Sequence, residues 1–167
     1  TLNPEMIQAM AAGGVTRASL GVQDFNRTVQ EAINRVQPFL LVKGAVEALR
    51  AADIKAINFD LLYGLPHQTA ESVEHSAELA ASLMPDRISA FGYAHVPWFA
   101  KHQRAIDEKH LPNTQARFDQ YEAIADVLGD YGYTQIGLDH FARDEDDLAL
   151  ALSKGTLHRN FQGYTTR

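Results

Sequence analysis

The 167-residue sequence contains no cysteine. That absence excludes a disulfide, a thiolate nucleophile, and any iron–sulfur or structural zinc site built on cysteine within these residues. No apolar run is long enough to span a bilayer and no signal peptide opens the chain. A cytoplasmic protein without a membrane partner is therefore expected. The net charge is −6, and Lys and Arg stand singly rather than in a basic stripe, so a nucleic-acid partner is not expected either. An HExxH signature is also missing, and the spacings of His95, His102 and His110 do not place three imidazoles on one face. No metal site on histidine is expected.

What is present is the composition of an ordinary globular domain, 46% apolar and 22% charged, in a chain long enough for one real core. Its ordering stretch is Asn58 to Thr69, which reads as a strand entering a Gly-Pro corner and then a helix. From Lys55 to Leu62 the residues are mostly apolar, as expected of a parallel strand buried on both faces. Asp60 interrupts that run near its end. A buried ionised carboxylate is costly without a partner, so Asp60 needs either backbone donors from the following turn or a ligand.

The rest of the chain repeats the pattern. Pro4 to Ala12 fits a short helix capped by Asn3, and Val15 to Gln23 reads as a strand. Residues 27–35 look helical, and a second helix follows Pro38, with Val42, Val46 and Leu49 on one face. Thr69 caps a helix carrying Val73, Ala77, Ala80 and Met84. Arg87 to Val96 reads as a third strand, residues 97–113 as an excursion, and Phe118, Tyr121, Ala125 and Leu128 mark another helix. A fourth strand, Tyr133 to Leu138, is followed by an acidic helix over 144–152 and a tail without a clear period. Four alternations of strand and helix predict βα units around a parallel sheet. Gln23-Asp24, Asp60, Ala94-His95 and Asp139-His140 all fall at strand ends, where β/α barrels carry their working groups. Four strands do not close a barrel, so the expected fold is α/β, a partial (β/α) barrel.

Several motifs carry a resemblance. Gly21-Val22-Gln23-Asp24-Phe25-Asn26, Asn34-Arg35 and Asn58-Phe59-Asp60-Leu61-Leu62-Tyr63-Gly64-Leu65-Pro66 look like the central part of radical S-adenosylmethionine enzymes. Within that group, Gly92-Tyr93-Ala94-His95-Val96-Pro97-Trp98, Asp139-His140-Phe141-Ala142 and the tail from Leu157 to Thr166 are similar to the oxygen-independent coproporphyrinogen III oxidase family. The first motifs are shared with related haem chaperones of the same fold, and a non-catalytic α/β interaction module is the reading from another class.

The oxidase resemblance implies an oxidoreductase of haem (porphyrin) biosynthesis that converts coproporphyrinogen III to protoporphyrinogen IX. Two propionates become vinyl groups after a deoxyadenosyl radical, made from S-adenosylmethionine by a reduced 4Fe-4S cluster, removes a hydrogen. It further implies a tetrapyrrole substrate, an electron donor for the cluster and two bound S-adenosylmethionine molecules. By the same resemblance Gln23, Arg35, Asp60 and Ala94 are cofactor-binding, and Phe161 and Gln162 are needed for activity. An Asp suits an ammonium or hydroxyls, an Arg fork suits a carboxylate, and a Gln serves either. Lys101, His102, Arg104 and His95 would face the carboxylates of a tetrapyrrole or simply water. The family's CxxxCxxC loop has no counterpart in a chain without cysteine. Residues 1–167 are thus expected to be the central part of the barrel domain, without the N-terminal cluster-binding segment and the C-terminal remainder, and inactive alone.

Overall fold

A computed structural model of the protein describes residues 2–161 and 163–166. The chain begins with α1 (Pro4–Ala12), where Asn3 Oδ1 accepts the Met6 amide at 2.7 Å and proline takes the first turn. Then come β1 (Arg17–Gln23), α2 (Arg27–Ala32), α3 (Phe39–Ala51), β2 (Ala56–Tyr63), α4 (Ala70–Ser82) and β3 (Arg87–Gly92). Two short 3-10 turns, Lys101–Ala105 and Glu108–His110, precede α5 (Thr114–Asp130). The chain closes with β4 (Tyr133–Ile136), β5 (His140–Arg143), α6 (Asp147–Ser153), β6 (His158–Asn160) and β7 (Gly163–Thr165). Caps fix the helix starts: Asn26 for α2, a Thr69–Ser72 capping box for α4, Asn113 for α5 and Asp146 for α6.

The main sheet runs in the order β1-β2-β3-β5-β4. The first three strands are parallel, as consecutive βα units require. β5 lies between β3 and β4 and is antiparallel to both. The predicted fourth strand therefore runs with the other three but does not pair with β3. A tight turn over 137–139 folds the chain back, and β5 takes the neighbouring place. The expected α/β architecture is the observed one, but the sheet expected to be parallel is so only from β1 to β3 and is antiparallel beyond, through this hairpin. Four other local expectations are corrected. The third strand stops at Gly92, so Ala94 lies in a loop. Residues 140–143 form a strand before the acidic helix. That helix starts at Asp147, where Asp146 accepts the Leu148 amide. The tail is a two-stranded hairpin.

Side chains alternate across the sheet. Ile57, Phe59 and Leu61 of β2 join Ala18, Val22, Ile88, Ala90 and Phe141 in one core beneath α3, α4 and α5. Asn58, Asp60 and Leu62 point to the opposite face and stay half-buried. The two-sided burial expected of β2 is thus not found among the described residues. Along β4 and β5 that second face is covered by α6, with Ile136, Ala142, Leu148 and Ala149 in a smaller core. Over β1 and β2 it is open among the described residues, while Ser89 of β3 is buried. Phe59 is fully buried at the centre of the larger core. Phe59→Ala should lower stability by about 3–5 kcal/mol, read as the shift in a urea unfolding midpoint at constant slope.

No helix among the described residues is long and apolar enough to cross a membrane.

Candidate functional site

The C-terminal ends of β1 and β2 are shaped by left-handed backbone positions. Gln23 has φ 69° and Gly64 has φ 85°. A non-glycine residue held there stores strain of order 1–3 kcal/mol, a feature concentrated at functional sites. At Gly64 a Cβ would sit 2.6 Å from Arg117 Nη1. Arg117, reaching from α5, donates to the Tyr93 carbonyl at 2.8 Å and lies over the Tyr63 ring. It ties the loop after β2 to the loop after β3. Gly64→Ala should cost about 1–2 kcal/mol from the backbone alone and push the guanidinium away, which thermal unfolding and the aromatic proton shifts of Tyr63 would report together.

Beneath these loops lies a buried polar network. Asp24 is 1% exposed. Its Oδ1 accepts from the Asn26 amide and from Ser76 Oγ of α4, and its Oδ2 accepts from Gln68 Nε2 at 2.6 Å. Gln68 Oε1 in turn accepts the Leu65 amide at 2.7 Å, while its Nε2 also donates to the Leu62 carbonyl. Gln120 of α5 accepts the Gly64 amide and donates to the Gln68 carbonyl. Gln30 of α2 binds the Asp24 and Gln37 carbonyls and accepts the Gln37 amide. Burial pushes the Asp24 carboxyl above its usual range, against the lowering effect of its bonds to Gln68, Asn26 and Ser76. Nearly every polar atom here faces a protein partner, so the network positions the loops and leaves no group for a ligand.

The ligand-facing groups lie above it, on the open face. Gly21, Asp60, Ser89 and His140 are cross-strand neighbours on β1, β2, β3 and β5. Ser19 Oγ donates to Asp60 Oδ2 at 3.1 Å. A Cβ at Gly21 would stand 2.7 Å from Gln23 Nε2 and 3.3 Å from Arg35 Nη2, so both side chains fold over that glycine. Arg35 Nη2 donates to the Gly21 carbonyl at 2.8 Å and its Nε to Gln37 Oε1 at 3.2 Å. A cleft of about 460 Å³ runs along β1 toward α3, lined by Gly21, Arg35, Gln37, Leu41, Val42 and Ala45, with Gln23 and Asp60 outside its lining. The structure brings Gln23, Arg35 and Asp60 together around Gly21. Ala94 sits at the same end of the sheet, exposed, in the loop that begins where the Tyr93 amide bonds the Tyr63 carbonyl. Asp139 is at that end too, its carbonyl accepting the Ala90 amide. Phe161 is at the β6–β7 hairpin and 97% exposed, and the geometry does not join it to the other four. Gln162 lies outside the described residues.

The loop after β3 is internally bonded. Tyr93 Oη lies 2.9 Å from His95 Nδ1, and His95 Nε2 lies 3.0 Å from Glu108 Oε1. His95 is thereby committed to its own loop. Arg104 Nε donates to the Pro97 carbonyl at 3.2 Å, and Lys101 and His102 are exposed. Among the described residues no group of three or more His, Cys, Asp and Glu could hold a metal ion.

The sequence model of the radical SAM superfamily matches residues 1–80. The solved structure of coproporphyrinogen III oxidase from Escherichia coli, described as a radical SAM enzyme, superposes with a TM-score of 0.94 at 42% identity, over 99% of this chain and 38% of that one. The chain resembles radical S-adenosylmethionine enzymes in both comparisons, through residues 1–80 in sequence and through nearly its whole length in structure. It is 56% identical to the oxygen-independent coproporphyrinogen III oxidase of Bradyrhizobium diazoefficiens, over 99% of this chain and 37% of that protein. It is 43% identical to the enzyme of Escherichia coli strain K12, over 98% of this chain and 36% of that protein. The chain thus spans a little over a third of the length of the curated relatives it matches. A radical SAM methyltransferase from Kitasatospora setae shares the fold alone, with a TM-score of 0.50 at 17% identity over 54% of this chain and 18% of that one.

The radical SAM match implies S-adenosylmethionine and an iron–sulfur cluster. The open-face residues fit the first: a glycine approach at Gly21, an acceptor at Asp60, and donors at Gln23 and Arg35. They do not fit the second, because the chain offers no thiolate. Sequence reasoning missed Ser19, Ser89 and the Asp24–Gln68–Gln120 network. Strict alternation along β1 and β3 would have placed the two serines beside Asp60. The network rests on contacts 44 to 56 residues apart, which no local pattern announces.

Proposed function

We propose that this chain supplies the S-adenosylmethionine-binding part of an oxygen-independent coproporphyrinogen III oxidase, which converts two propionates of coproporphyrinogen III to vinyl groups in porphyrin biosynthesis. The convergence of Gln23, Arg35 and Asp60 on Gly21 carries the reading. When bound, S-adenosylmethionine supplies the radical that removes a hydrogen from the propionate side chain. The residues of this chain bind and orient it. Asp60 accepts from its ammonium or ribose hydroxyls, and the Arg35 fork, now held at the Gly21 carbonyl, is close enough to pair with its carboxylate. Gln23 bonds either group, and Ala94 leaves room for the ligand beside the β3 loop. Phe161, with Gln162, would act from the tail hairpin toward the second S-adenosylmethionine molecule that this reading includes. The cluster and its electron donor lie outside these residues, so the 167-residue chain alone is inactive. The reaction belongs in the cytoplasm, without a membrane or nucleic-acid partner.

A chimera tests this directly. Replacing the matching 163-residue stretch of the Escherichia coli enzyme by this chain should retain anaerobic formation of protoporphyrinogen from coproporphyrinogen. A chimera that folds and carries its cluster but forms no product would contradict the assignment.

A further inference from the structure

On the open face Asp60 divides the polar row. To one side, over β1, stand Gln23 and Arg35. To the other, across Ser89 of β3, stands His140 of β5. The imidazole is held edge-on between Phe91, with ring centroids 5.7 Å apart, and Tyr164 of β7, at 5.3 Å. Its Nδ1 is buried and has no hydrogen-bond partner among the described residues. An orphaned N–H is costlier and rarer than an under-used lone pair. The neutral ring therefore keeps Nδ1 as the bare nitrogen and carries its proton on Nε2, which leaves an N–H donor for whatever occupies the open face. The charged groups that face the ring are Asp139 in the turn, Asp60 of β2, Arg87 of β3 and Arg159 of β6. Arg159 favours an anion on this side, while Arg87 is paired with Asp146 Oδ2 at 2.8 Å. Asp60 is matched by Ser19 and, in the reading above, by the cofactor, while Asp139 stays beside the ring and favours its protonated form.

We propose that His140 is the substrate-side recognition residue of this site, donating from Nε2 to a propionate carboxylate of the tetrapyrrole while Arg35 serves the cofactor on the far side of Asp60. The inference rests on the function proposed above and adds a residue to which no role has been given. Desolvation holds the imidazole below its ordinary pKa, so the free site is neutral near pH 7. An arriving carboxylate favours the protonated ring, and binding then takes up a proton. Affinity should rise as pH falls from 8 toward 6, because the carboxylates of the ligand stay ionised throughout that range.

The test uses the full chain and two probes, S-adenosylmethionine and coproporphyrin III, the stable aromatic form of the substrate with the same four carboxylates. His140→Phe preserves the packing between Phe91 and Tyr164 and removes the donor. His140→Gln keeps a donor near the Nε2 position and cannot titrate. Coproporphyrin affinity, read by fluorescence quenching, should fall about tenfold or more in His140→Phe and recover substantially in His140→Gln. Its pH dependence should vanish in both variants. S-adenosylmethionine affinity should be unchanged in both. Wild-type porphyrin affinity in both variants, or a loss confined to S-adenosylmethionine, overturns the role of His140 while leaving the proposed function standing. A wild-type chain that binds neither probe overturns both.

Discussion

Asp24→Ala should be the most damaging single substitution at this end of the molecule. It removes the acceptor shared by the Asn26 amide, Ser76 Oγ and Gln68 Nε2, all within a buried site. Each buried donor left without its acceptor costs about 1–3 kcal/mol, and three share this carboxylate, so the loss is a large part of a domain's total stability. The loops after β1 and β2 should loosen first, so amide exchange at Phe25–Asn26 and Gly64–Leu65 should accelerate more than exchange in α3. Asp24→Asn is informative beside it. Its amide nitrogen would meet Gln68 Nε2 donor to donor, and flipping Gln68 would break its bonds to Leu65 and Leu62. A loss of about 1–3 kcal/mol is expected for the isostere.

The pH dependence follows from the same burial. A carboxyl whose folded pKa is raised binds more protons folded than unfolded in the interval above the ordinary value near 3.8. Stability contributed by this group is greatest below that value and declines as pH rises through the folded pKa. Asp24→Asn should abolish that decline, seen as a flatter curve of unfolding midpoint against pH on the acid side of neutrality. An unchanged slope would mean that another group is responsible.

Asp60→Asn should produce the opposite pattern. Asp60 is half-buried on the open face, bonded to Ser19 Oγ alone among the described residues, and an asparagine oxygen can accept that bond equally well. Stability should change by no more than about 0.5 kcal/mol, the range of substitutions that disturb no packed or buried network. S-adenosylmethionine affinity should fall tenfold to a hundredfold, because a hydrogen bond to a charged group contributes about 1.5–3 kcal/mol. Denaturant unfolding and calorimetric binding on one preparation separate the two effects. Lower stability with unchanged affinity would make Asp60 a structural residue.

Much of this was legible in the sequence because the relevant signals are local. The βα repeat, the caps at Asn3 and Thr69, and the polar residues ending each strand came from periodicity and turn chemistry. The burial of Asp60 did not. Its strand looks mostly apolar, yet Ile57, Phe59 and Leu61 alternate with Asn58 and Asp60, and that period of two is the mark of one packed face. The carboxylate that is truly buried is Asp24, next to the strand end, where a single residue after a bulge can point either way. β5 was invisible for a different reason. Four residues, His140–Arg143, are too few to establish a period, and their pairing with β3 is set by the reversal at 137–139 and by α6 covering Ile136 and Ala142. The hairpin of the tail is shorter still.

The central claim is that Gln23, Arg35 and Asp60 form one cofactor site at the C-terminal ends of the parallel strands. Titration of S-adenosylmethionine into the isotope-labelled chain, followed by amide chemical shifts, tests it most directly. The largest shifts should fall on Gly21–Gln23, Arg35, Asp60–Tyr63 and Ala94. Saturable shifts at the opposite ends of the same strands, around Thr16, Lys55 and Asp86, or no shifts at all, would contradict the account.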